Sequence, residues 1–510
     1  MKFLRVLCVL ALALMITASV YAETQSVKVS GDLTMRGIWR DSYDLQSSPN
    51  ENEGTSAKSE LDSNHQSWFM TVAAVQIDAD LTDNVSTVIR VLNQRDWNVA
   101  DSDATSTDSL TPNGRGLYTS NPDEFDVMLD LAYVQLKNFV YSPITLTIGR
   151  QNLWFGKGFI VGANPQNPGT GTDNTGATEA NMIAGNLAAP EYTGINSFDA
   201  VKAVLDYDPW TITAIYSKIY EDNIQDRDDV NLWGVNVGYK FDAYKGEAEA
   251  YWFWKQDRSV PIFNSLKSSD NDVHTWGLRG SFDPISWATI AAEGAYQGGS
   301  YVGTEDQQGT RARSAWALDV SGECRYFTEK VSWKPKLGVE YILYSGASPQ
   351  DSNSAQPDKL YTGWDLMYRG KYDSAIREFM GRFYQSAKYA ATGTNVQSCT
   401  DASYTNQSQL IFSGSVKPMD SLTLKANYNL FWNLTPYEGD TSVNNDNKTQ
   451  GFIGQEIDLQ ANWDYTEDVS FGILAGWFIP GEVYNATSND SVGNKAATAT
   501  DLVGTVKVSF

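Results

Sequence analysis

The stretch Glu456-Ile457-Asp458-Leu459-Gln460-Ala461-Asn462-Trp463-Asp464 decides the fold. Every second residue is apolar and the residues between are polar, which is the period-two pattern of a β-strand with one apolar and one polar face. Its length is about that of a tilted strand that crosses a membrane. A single strand of this kind also fits a soluble sandwich, so strand number and loop rhythm must separate the two architectures.

The same alternation recurs along the whole chain. It predicts eighteen strands near residues 26–40, 67–81, 84–95, 126–140, 144–154, 197–206, 210–219, 231–241, 246–256, 273–283, 286–297, 311–327, 331–344, 405–417, 420–431, 454–464, 468–478 and 500–510. Eight short turns alternate with nine long polar loops, which is typical of an outer-membrane barrel with short periplasmic turns and long extracellular loops. We predict an all-β fold, a transmembrane antiparallel up-and-down β-barrel of about 18 strands. The alternative is a soluble repeat protein.

The N-terminus predicts export. Lys2 and Arg5 precede an uninterrupted apolar run, residues 6–16, which has the length of a secretory signal and is too short to span a bilayer. We interpret residues 1–22 as a signal peptide and residues 23–510 as the barrel. No later stretch holds 18 consecutive apolar residues, so an exported membrane protein has to cross with strands.

The C-terminus supports the same interpretation. The last strand alternates to a terminal aromatic residue, Phe510. Such an end resembles the signal by which barrel-assembly machinery recognises outer-membrane proteins. Aromatic residues also fall near the predicted strand ends, as in the girdles that contact lipid at both interfaces. They are Trp39, Trp233, Trp276 and Trp477 on the loop side and Phe241, Phe282 and Phe510 on the turn side. We therefore expect the outer membrane of a Gram-negative-type bacterium, with lipid and lipopolysaccharide as neighbours.

Charge is unevenly distributed. Thirty-eight basic and 62 acidic residues give −24, and loss of the two basic leader residues gives −26. The predicted loops 41–64, 96–126 and 221–230 hold −15 of this, whereas the predicted inner face carries fourteen bases and thirteen acids. The acidity argues against a nucleic-acid partner, because phosphate binding needs concentrated Lys and Arg. An 18-stranded barrel with a polar inner face is wide enough for an aqueous channel unless loops fill it.

Two long loops are candidates for that role. Residues 160–196 are rich in Gly, Asn, Pro and Thr, and residues 345–403 contain a predicted helix near 374–390. Loops of this length usually have a function. Each either folds inward as a constriction or covers the outer mouth as a lid.

Several segments resemble a known family. Residues 144–162 contain Gly149-Arg150-Gln151, residues 196–201 read Asn-Ser-Phe-Asp-Ala-Val, and residues 453–459 and 478–482 read Ile-Gly-Gln-Glu-Ile-Asp-Leu and Phe-Ile-Pro-Gly-Glu. In this order they resemble conserved strands of the alginate-export family of outer-membrane barrels. The resemblance covers most of the mature chain. It implies an 18-stranded barrel that passes an anionic polysaccharide through an arginine-lined pore.

The phase of Arg150 is a separate question. Arg150 shares the strand phase of the apolar residues Ile144, Leu146 and Ile148, which points it outward. A lipid-facing Arg at mid-membrane costs about 2–4 kcal/mol. We therefore expect a bulge at Gly149 that turns Arg150 inward. The complete set of predicted pore-lining residues is Arg36, Arg90, Arg150, Asp199, Lys240, Arg279, Arg313, Arg325, Lys334, Lys336, Glu340, Lys425, Glu456 and Asp458.

These patterns favour a channel for hydrophilic solutes or oligosaccharides. The alternative, from the resemblance, is an export pore for an anionic exopolysaccharide, with periplasmic secretion components as partners. An enzyme is the third hypothesis, but neither His65, at a loop end, nor His274, in the outward phase, stands beside an obvious nucleophile. We expect no cofactor and no complete metal site, although Asp101–Asp103 and Asn445–Asn447 carry hard oxygens suited to Ca²⁺. Cys324 and Cys399 are expected at opposite ends of the barrel and therefore unpaired.

Overall fold

Eighteen antiparallel strands form one closed barrel. The computed structural model of the chain describes residues 26–42, 65–97, 127–140, 143–163, 189–221, 229–258, 271–301, 311–346, 360–378, 406–438, 449–481 and 497–510. The strands are β1 (Ser26–Asp41), β2 (His65–Thr82), β3 (Val85–Asp96), β4 (Met128–Lys137), β5 (Ile144–Asn152), β6 (Ser197–Tyr207), β7 (Trp210–Tyr220), β8 (Val230–Phe241), β9 (Gly246–Asp257), β10 (Asn271–Ile285), β11 (Ala288–Tyr301), β12 (Arg311–Cys324), β13 (Lys336–Tyr344), β14 (Gln407–Met419), β15 (Leu422–Glu438), β16 (Thr449–Asp464), β17 (Val469–Pro480) and β18 (Ala499–Ser509).

Each strand pairs with its neighbours in the chain, and β1 also pairs with β18, so the sheet closes on itself. Seven of the eight connections at one end are short turns and the eighth, residues 325–335, is longer, whereas the nine connections at the other end include all the long loops. These ends are called the short-turn end and the long-loop end. Because the strand number is even, β1 begins and β18 ends at the short-turn end. The predicted fold class and strand number are confirmed.

The seam between the first and last strands is tight. The Gly31 N–H donates to the Phe510 carbonyl oxygen at 2.8 Å, and the Phe510 N–H donates back to Gly31 at 3.0 Å. The Phe510 ring covers the vacant side of Gly31, where an added Cβ would lie 2.6 Å from the ring. An aromatic ring across from a strand glycine is a known way of pinning register.

The apolar phase of the strands faces outward. Leu278, with 68% exposure, is one of many large apolar side chains on the outer face. Near the long-loop end the outer face carries a row of rings, in which His274 stacks between Trp254 and Trp276 with centroids 5.2 and 5.6 Å away. His274 thus lies in the outward phase, as predicted. All seven predicted girdle rings are exposed.

Several strand boundaries differ from the prediction, and the start of β13 is the one that changes the placement of a predicted site residue. The alternation predicts a strand from residue 331, but β13 begins at Lys336. The chain before it forms turns in which the Thr328 hydroxyl donates to the Pro335 carbonyl oxygen and Lys334 takes a positive φ of 48°. Pro335 supplies no N–H for a ladder, so the apparent alternation there belongs to a turn.

Some predictions concern residues outside the described set. They are the signal peptide, nearly all of the acidic loops, Asp101–Asp103, Asn445–Asn447, Cys399 and the predicted helix beyond residue 378. Cys324 lies at the short-turn end of β12, where the sequence placed it. Within the described residues, no helix has the length and apolar character needed to span a membrane.

Candidate channel constriction

Two segments of the chain fold into the barrel from the long-loop end. The first inner segment, residues 153–163, follows β5, and the second, residues 360–378, belongs to the connection between β13 and β14. Val161 and Tyr368 form a parallel bridge between them, and the Gly162 N–H donates to the Tyr368 carbonyl oxygen at 2.7 Å. The two segments are together called the plug. Their hydrogen bonding to each other makes the plug one unit built from both long loops.

Apolar side chains hold the plug against the wall. The Phe159 ring stacks on Tyr344 with centroids 5.6 Å apart, and Phe198 meets Tyr368 edge-on at 5.8 Å. All four side chains are almost fully buried. This packing removes apolar surface from water on both partners and fixes the plug to one half of the barrel. The buried wall residues are Phe198, Ala200, Ile215, Leu232, Tyr251, Phe253, Val273, Ala295, Ala315, Ala317, Ile342, Tyr344 and Ile411.

Lysine side chains of the plug neutralise an acidic part of this wall. Lys371 Nζ lies 3.2 Å from Asp319, 2.5 Å from Glu340 and 3.1 Å from Asp373. Lys157 lies 3.6 Å from the same Glu340 carboxylate. Burial opposes the positive charge of Lys371, but the three carboxylates outweigh it and raise the pKa of Lys371. Burial raises the pKa of Asp373 to about 6. Lys371 therefore remains charged at physiological pH and compensates the wall.

The second inner segment ends in a capped helical turn. The Ser374 hydroxyl accepts a hydrogen bond from the Glu378 N–H at 3.0 Å, while the Glu378 carboxylate accepts from the Ser374 N–H at 2.7 Å. This reciprocal arrangement is similar to a capping box and satisfies N–H groups at a helix start. Arg369 Nη2 lies 2.7 Å from the other Glu378 oxygen, and both side chains are fully buried.

A wall carboxylate receives the same turn. Glu456 on β16 accepts hydrogen bonds from the backbone N–H groups of Ala375 and Ile376 at 2.7 and 2.9 Å and from Arg377 at 2.8 Å. The first N–H groups of a helical turn have no partner within it and carry partial positive charge, so a carboxylate is their preferred acceptor. Glu456 is fully buried. Glu456, which lies in one of the segments that carry the family resemblance, therefore anchors the plug to β16.

A further ion pair fixes the start of the second inner segment. Lys255 Nζ lies 2.8 Å from Asp365. The Gln297 side chain holds the backbone of Asp365 on both sides, donating to its carbonyl oxygen at 2.7 Å and accepting from its N–H at 2.8 Å. Arg313 donates to the Gly363 carbonyl oxygen at 3.0 Å. Polar groups of the inner wall thus fix the backbone of the plug as well as its side chains.

A third segment, residues 189–196 just before β6, covers the part of the inner wall that includes β1. Arg40 of β1 forms ion pairs with Glu191 and with Asp501, 3.4 Å away on β18. Arg36 lies over the Tyr192 ring, 4.8 Å from its centroid. The barrel is therefore lined on both sides by inward-folded chain.

Most predicted pore-lining residues lie in the inner phase. Arg325 lies just past the end of β12 and pairs with Asp283 at 3.2 Å. Whether any of these side chains contacts a passing solute stays a prediction. The inner-phase residues are Arg36, Arg90, Lys240, Arg279, Arg313, Lys336, Glu340, Lys425, Glu456 and Asp458.

Arg150 and Asp199 lie on the outer face, contrary to their assignment as pore-lining residues. Both are in the phase of the exposed side chains Ile148 and Val201, and the strand pairs continue through Gly149 without a register shift. The expected bulge is absent from this pair of strands. Arg150 lies near the long-loop end and forms an ion pair with Asp199 at 3.0 Å. Its charge is compensated at the membrane rim, so no inward turn is needed.

Lys334 is also corrected. It lies in the turns before β13, half exposed, and its Nζ is 2.9 Å from Asp420 in the next short turn. It therefore belongs to the short-turn end of the barrel. The alternation predicted an inward side chain for Lys334. The chain has not yet entered a strand at this position, so the alternation does not fix the direction of the side chain.

The strand pattern did not predict the lysines that anchor the plug. Lys157 and Lys371 lie in long loops, where no strand phase fixes the direction of a side chain. The apolar wall did leave a signal, however. The run Ala250-Tyr251-Trp252-Phe253-Trp254 is apolar in both phases, which indicates a strand covered on both faces.

The Gly149-Arg150-Gln151 motif has a structural explanation. Gly149 has a φ of +122°, and an added Cβ would lie 2.2 Å from the Ala132 carbonyl oxygen on β4. The buried Gln151 side chain donates within 3.2 Å to the carbonyl oxygens of Thr147, Gly149 and Ala200. The glycine permits the backbone conformation, and the glutamine bonds to the carbonyl groups around it.

Replacing Gly149 by Ala is expected to destabilise the barrel. Backbone strain alone contributes about 1–3 kcal/mol, and the clash with Ala132 adds to it. Thermal unfolding in detergent, followed by circular dichroism, should show a lower midpoint. Gly414→Ala is the control, because its Cβ would meet Leu337 at an ordinary 3.7 Å. Equal midpoints for the two variants would contradict this role of Gly149.

Comparisons with known proteins agree with this architecture. A family model described as Alginate export matches residues 51–498. Among solved structures, the chain is similar to Pseudomonas aeruginosa OccK9 (OpdG), with 11% identity, a TM-score of 0.52 and coverage of 96% of this chain and 99% of that one. It is also similar to Pseudomonas aeruginosa OpdO, with 9% identity, a TM-score of 0.51 and coverage of 96% and 98%. No curated protein matches the sequence.

Proposed function

Since the chain belongs to the alginate-export family and is a porin-like channel of the outer membrane, we propose that it passes hydrophilic solutes and oligosaccharides by passive diffusion beside the plug. The observation that carries this proposal is the plug itself. Two loop segments narrow a barrel of eighteen strands, which is otherwise wide enough for an aqueous channel. A narrowed, polar passage selects by size and by hydrogen bonding.

Export of an anionic polysaccharide is the second candidate. It is favoured by the exposed inner-face lysines that form no ion pair among the described residues, because they outnumber exposed aspartates of the same kind. They lie toward the short-turn end, which is the periplasmic end in such barrels. A basic entrance attracts polyanions from that side. The lysines include Lys28, Lys137, Lys240, Lys336, Lys425 and Lys507, and the aspartates are Asp80, Asp206 and Asp464.

We propose that no reaction is catalysed. His65 Nδ1 lies 2.6 Å from an Asp41 oxygen at the long-loop end, and His274 is part of the outer aromatic row. Neither arrangement includes a nucleophile within the described residues. Recognition of Phe510 by the assembly machinery, contact with lipopolysaccharide and binding of periplasmic secretion components stay predictions.

Planar-bilayer recording tests the proposed function. The purified protein is expected to give discrete single-channel openings in potassium chloride and to permit swelling of liposomes in neutral sugars, with no hydrolysis of the bilayer lipid. A reversal potential under a salt gradient separates the two candidates. Anion selectivity favours polyanion export, whereas weak selectivity favours general passage of solutes.

The matched variant for this test replaces residues 360–378 with a short Gly/Ser linker. It is expected to open more widely, because the second inner segment is gone. If both the natural protein and this variant fold and neither ever opens, the channel proposal is wrong.

A further inference from the structure

Trp154 lies against the plug and presents a large apolar surface to solvent. It is 55% exposed, although its neighbours in the plug are largely buried. Its Nε1 donates to the Gly156 carbonyl oxygen at 3.0 Å, which fixes the orientation of the indole. An exposed but oriented ring of this kind is pre-organised for contact with a ligand, because little side-chain entropy remains to be lost.

Three glycines from both inner segments form the floor beneath this ring. An added Cβ would lie 2.6 Å from the indole at Gly158, 2.9 Å at Gly162 and 2.7 Å at Gly370. The Gly370 N–H donates to the Gly158 carbonyl oxygen at 2.9 Å, so the floor is hydrogen-bonded. Any side chain at these positions would displace the ring. We call Trp154 and these glycines the indole platform.

The indole platform lies inside the barrel. A Cβ at Gly156 would lie 2.9 Å from Arg279 Cδ on the inner face of β10, and Lys371, directly after Gly370, pairs with Asp319 on β12. The apolar side chains of the plug, such as Phe159, pack against the wall. Trp154 packs on the glycine floor and is not among the side chains of the apolar cluster that holds the plug against the wall.

We propose that the indole platform is a stacking subsite for the pyranose ring of a sugar moving through the channel. The inference rests on the proposed function, which supplies a sugar to the barrel interior. One side of a pyranose is a patch of weakly positive C–H groups, and the face of an indole is apolar and negative, so the two surfaces are complementary. Lys157 adjoins the glycine floor in sequence, and its side chain is 28% exposed. Its ammonium group lies 2.5 Å from Ser321 Oγ and 3.6 Å from Glu340, so it belongs to the contact between plug and wall, and the sugar contact is assigned to the indole face alone.

Current blockade in single-channel recordings measures this subsite. The probes are a hexamer of glucose and a hexamer of a uronic acid, each added to the reconstituted full-length protein. Trp154→Ala is expected to raise the apparent Kd for blockade by about two- to tenfold, the equivalent of one lost aromatic contact. Trp154→Phe, which keeps an aromatic face, should retain most of the affinity. Trp333→Ala is the control, because Trp333 is 50% exposed in the turns before β13, away from the plug.

The outcomes are distinct. A raised Kd for either hexamer in Trp154→Ala, with Trp333→Ala unchanged, supports the indole platform. Sugar-conducting openings with equal blockade in the natural protein and Trp154→Ala overturn the indole platform and leave the channel intact. Absence of any opening defeats the proposed function instead. If Trp154→Ala does not assemble, Gly162→Ala displaces the ring and is expected to weaken blockade in the same way.

Discussion

Replacing Lys371 by Met is expected to release the second inner segment from the wall and enlarge the channel. Lys371 faces Asp319, Glu340 and Asp373, and all three side chains are largely buried. Removing one partner of a buried ion pair costs about 3–5 kcal/mol, because the remaining charges are left without compensation. The ratio of docked to released plug should fall by more than roughly a hundredfold.

Single-channel conductance and reversal potential measure this effect. The mean conductance should rise, and selectivity should shift toward cations, because the wall carboxylates lose the counter-charge that Lys371 supplied. Lys336→Met is the matched control, because it removes an exposed inner-face lysine of β13 for which no ion pair is seen among the described residues. If both variants shift selectivity equally without enlarging the channel, Lys371 acts only as a charge and does not hold the plug.

Replacing Glu456 by Ala is expected to release the other end of the same segment. The carboxylate accepts three backbone N–H groups at 2.7–2.9 Å in a fully buried place. Hydrogen bonds to a charged group contribute about 1.5–3 kcal/mol each, so several kcal/mol of docking energy are lost.

Conductance fluctuations report this change more directly than mean conductance. Glu456→Ala should show frequent transitions between levels, because one end of the segment is free while Lys371 still holds the middle. Glu456→Gln keeps one acceptor oxygen. Its frequency of transitions should lie between those of the natural protein and Glu456→Ala. Asp464→Asn, an exposed change on the same strand, is the control. A quiet, unchanged trace for Glu456→Ala would show that the capped turn docks without this carboxylate.

Strand phase made most of the fold predictable. The alternation over 456–464 recurs in most of the eighteen strands, because each strand has an apolar face toward lipid, and it is lost where the plug covers the inner face, as over 250–254. The phase failed where the chain was not a strand, at Lys334. It was right about Arg150 when the expected bulge was wrong. The cost of a charged side chain in lipid predicted an inward Arg150. The strand register was the better guide, because the ion pair with Asp199 at the membrane rim compensates the charge on the outer face.

The constriction was predictable only in outline. Loop length indicated that residues 160–196 and 345–403 had a role, but contacts such as Phe159 with Tyr344 join residues far apart in the chain. No periodicity fixes which loop side chain meets which strand. Glu456 was predicted as a pore-lining acid, but its partners are backbone N–H groups of a helical turn. Such donors leave no trace in side-chain chemistry.

The seam between Gly31 and Phe510 has a consequence for the order of assembly. Among the described residues, the edge of β1 that is turned away from β2 pairs with β18 and Phe510, so the sheet cannot close before β18 is in place. Until then both edges of the sheet expose unpaired backbone groups. Such groups are costly in contact with lipid and can pair with another chain. We expect a chain shortened by its final strand to remain an open sheet that needs a protecting partner, however complete its other seventeen strands are.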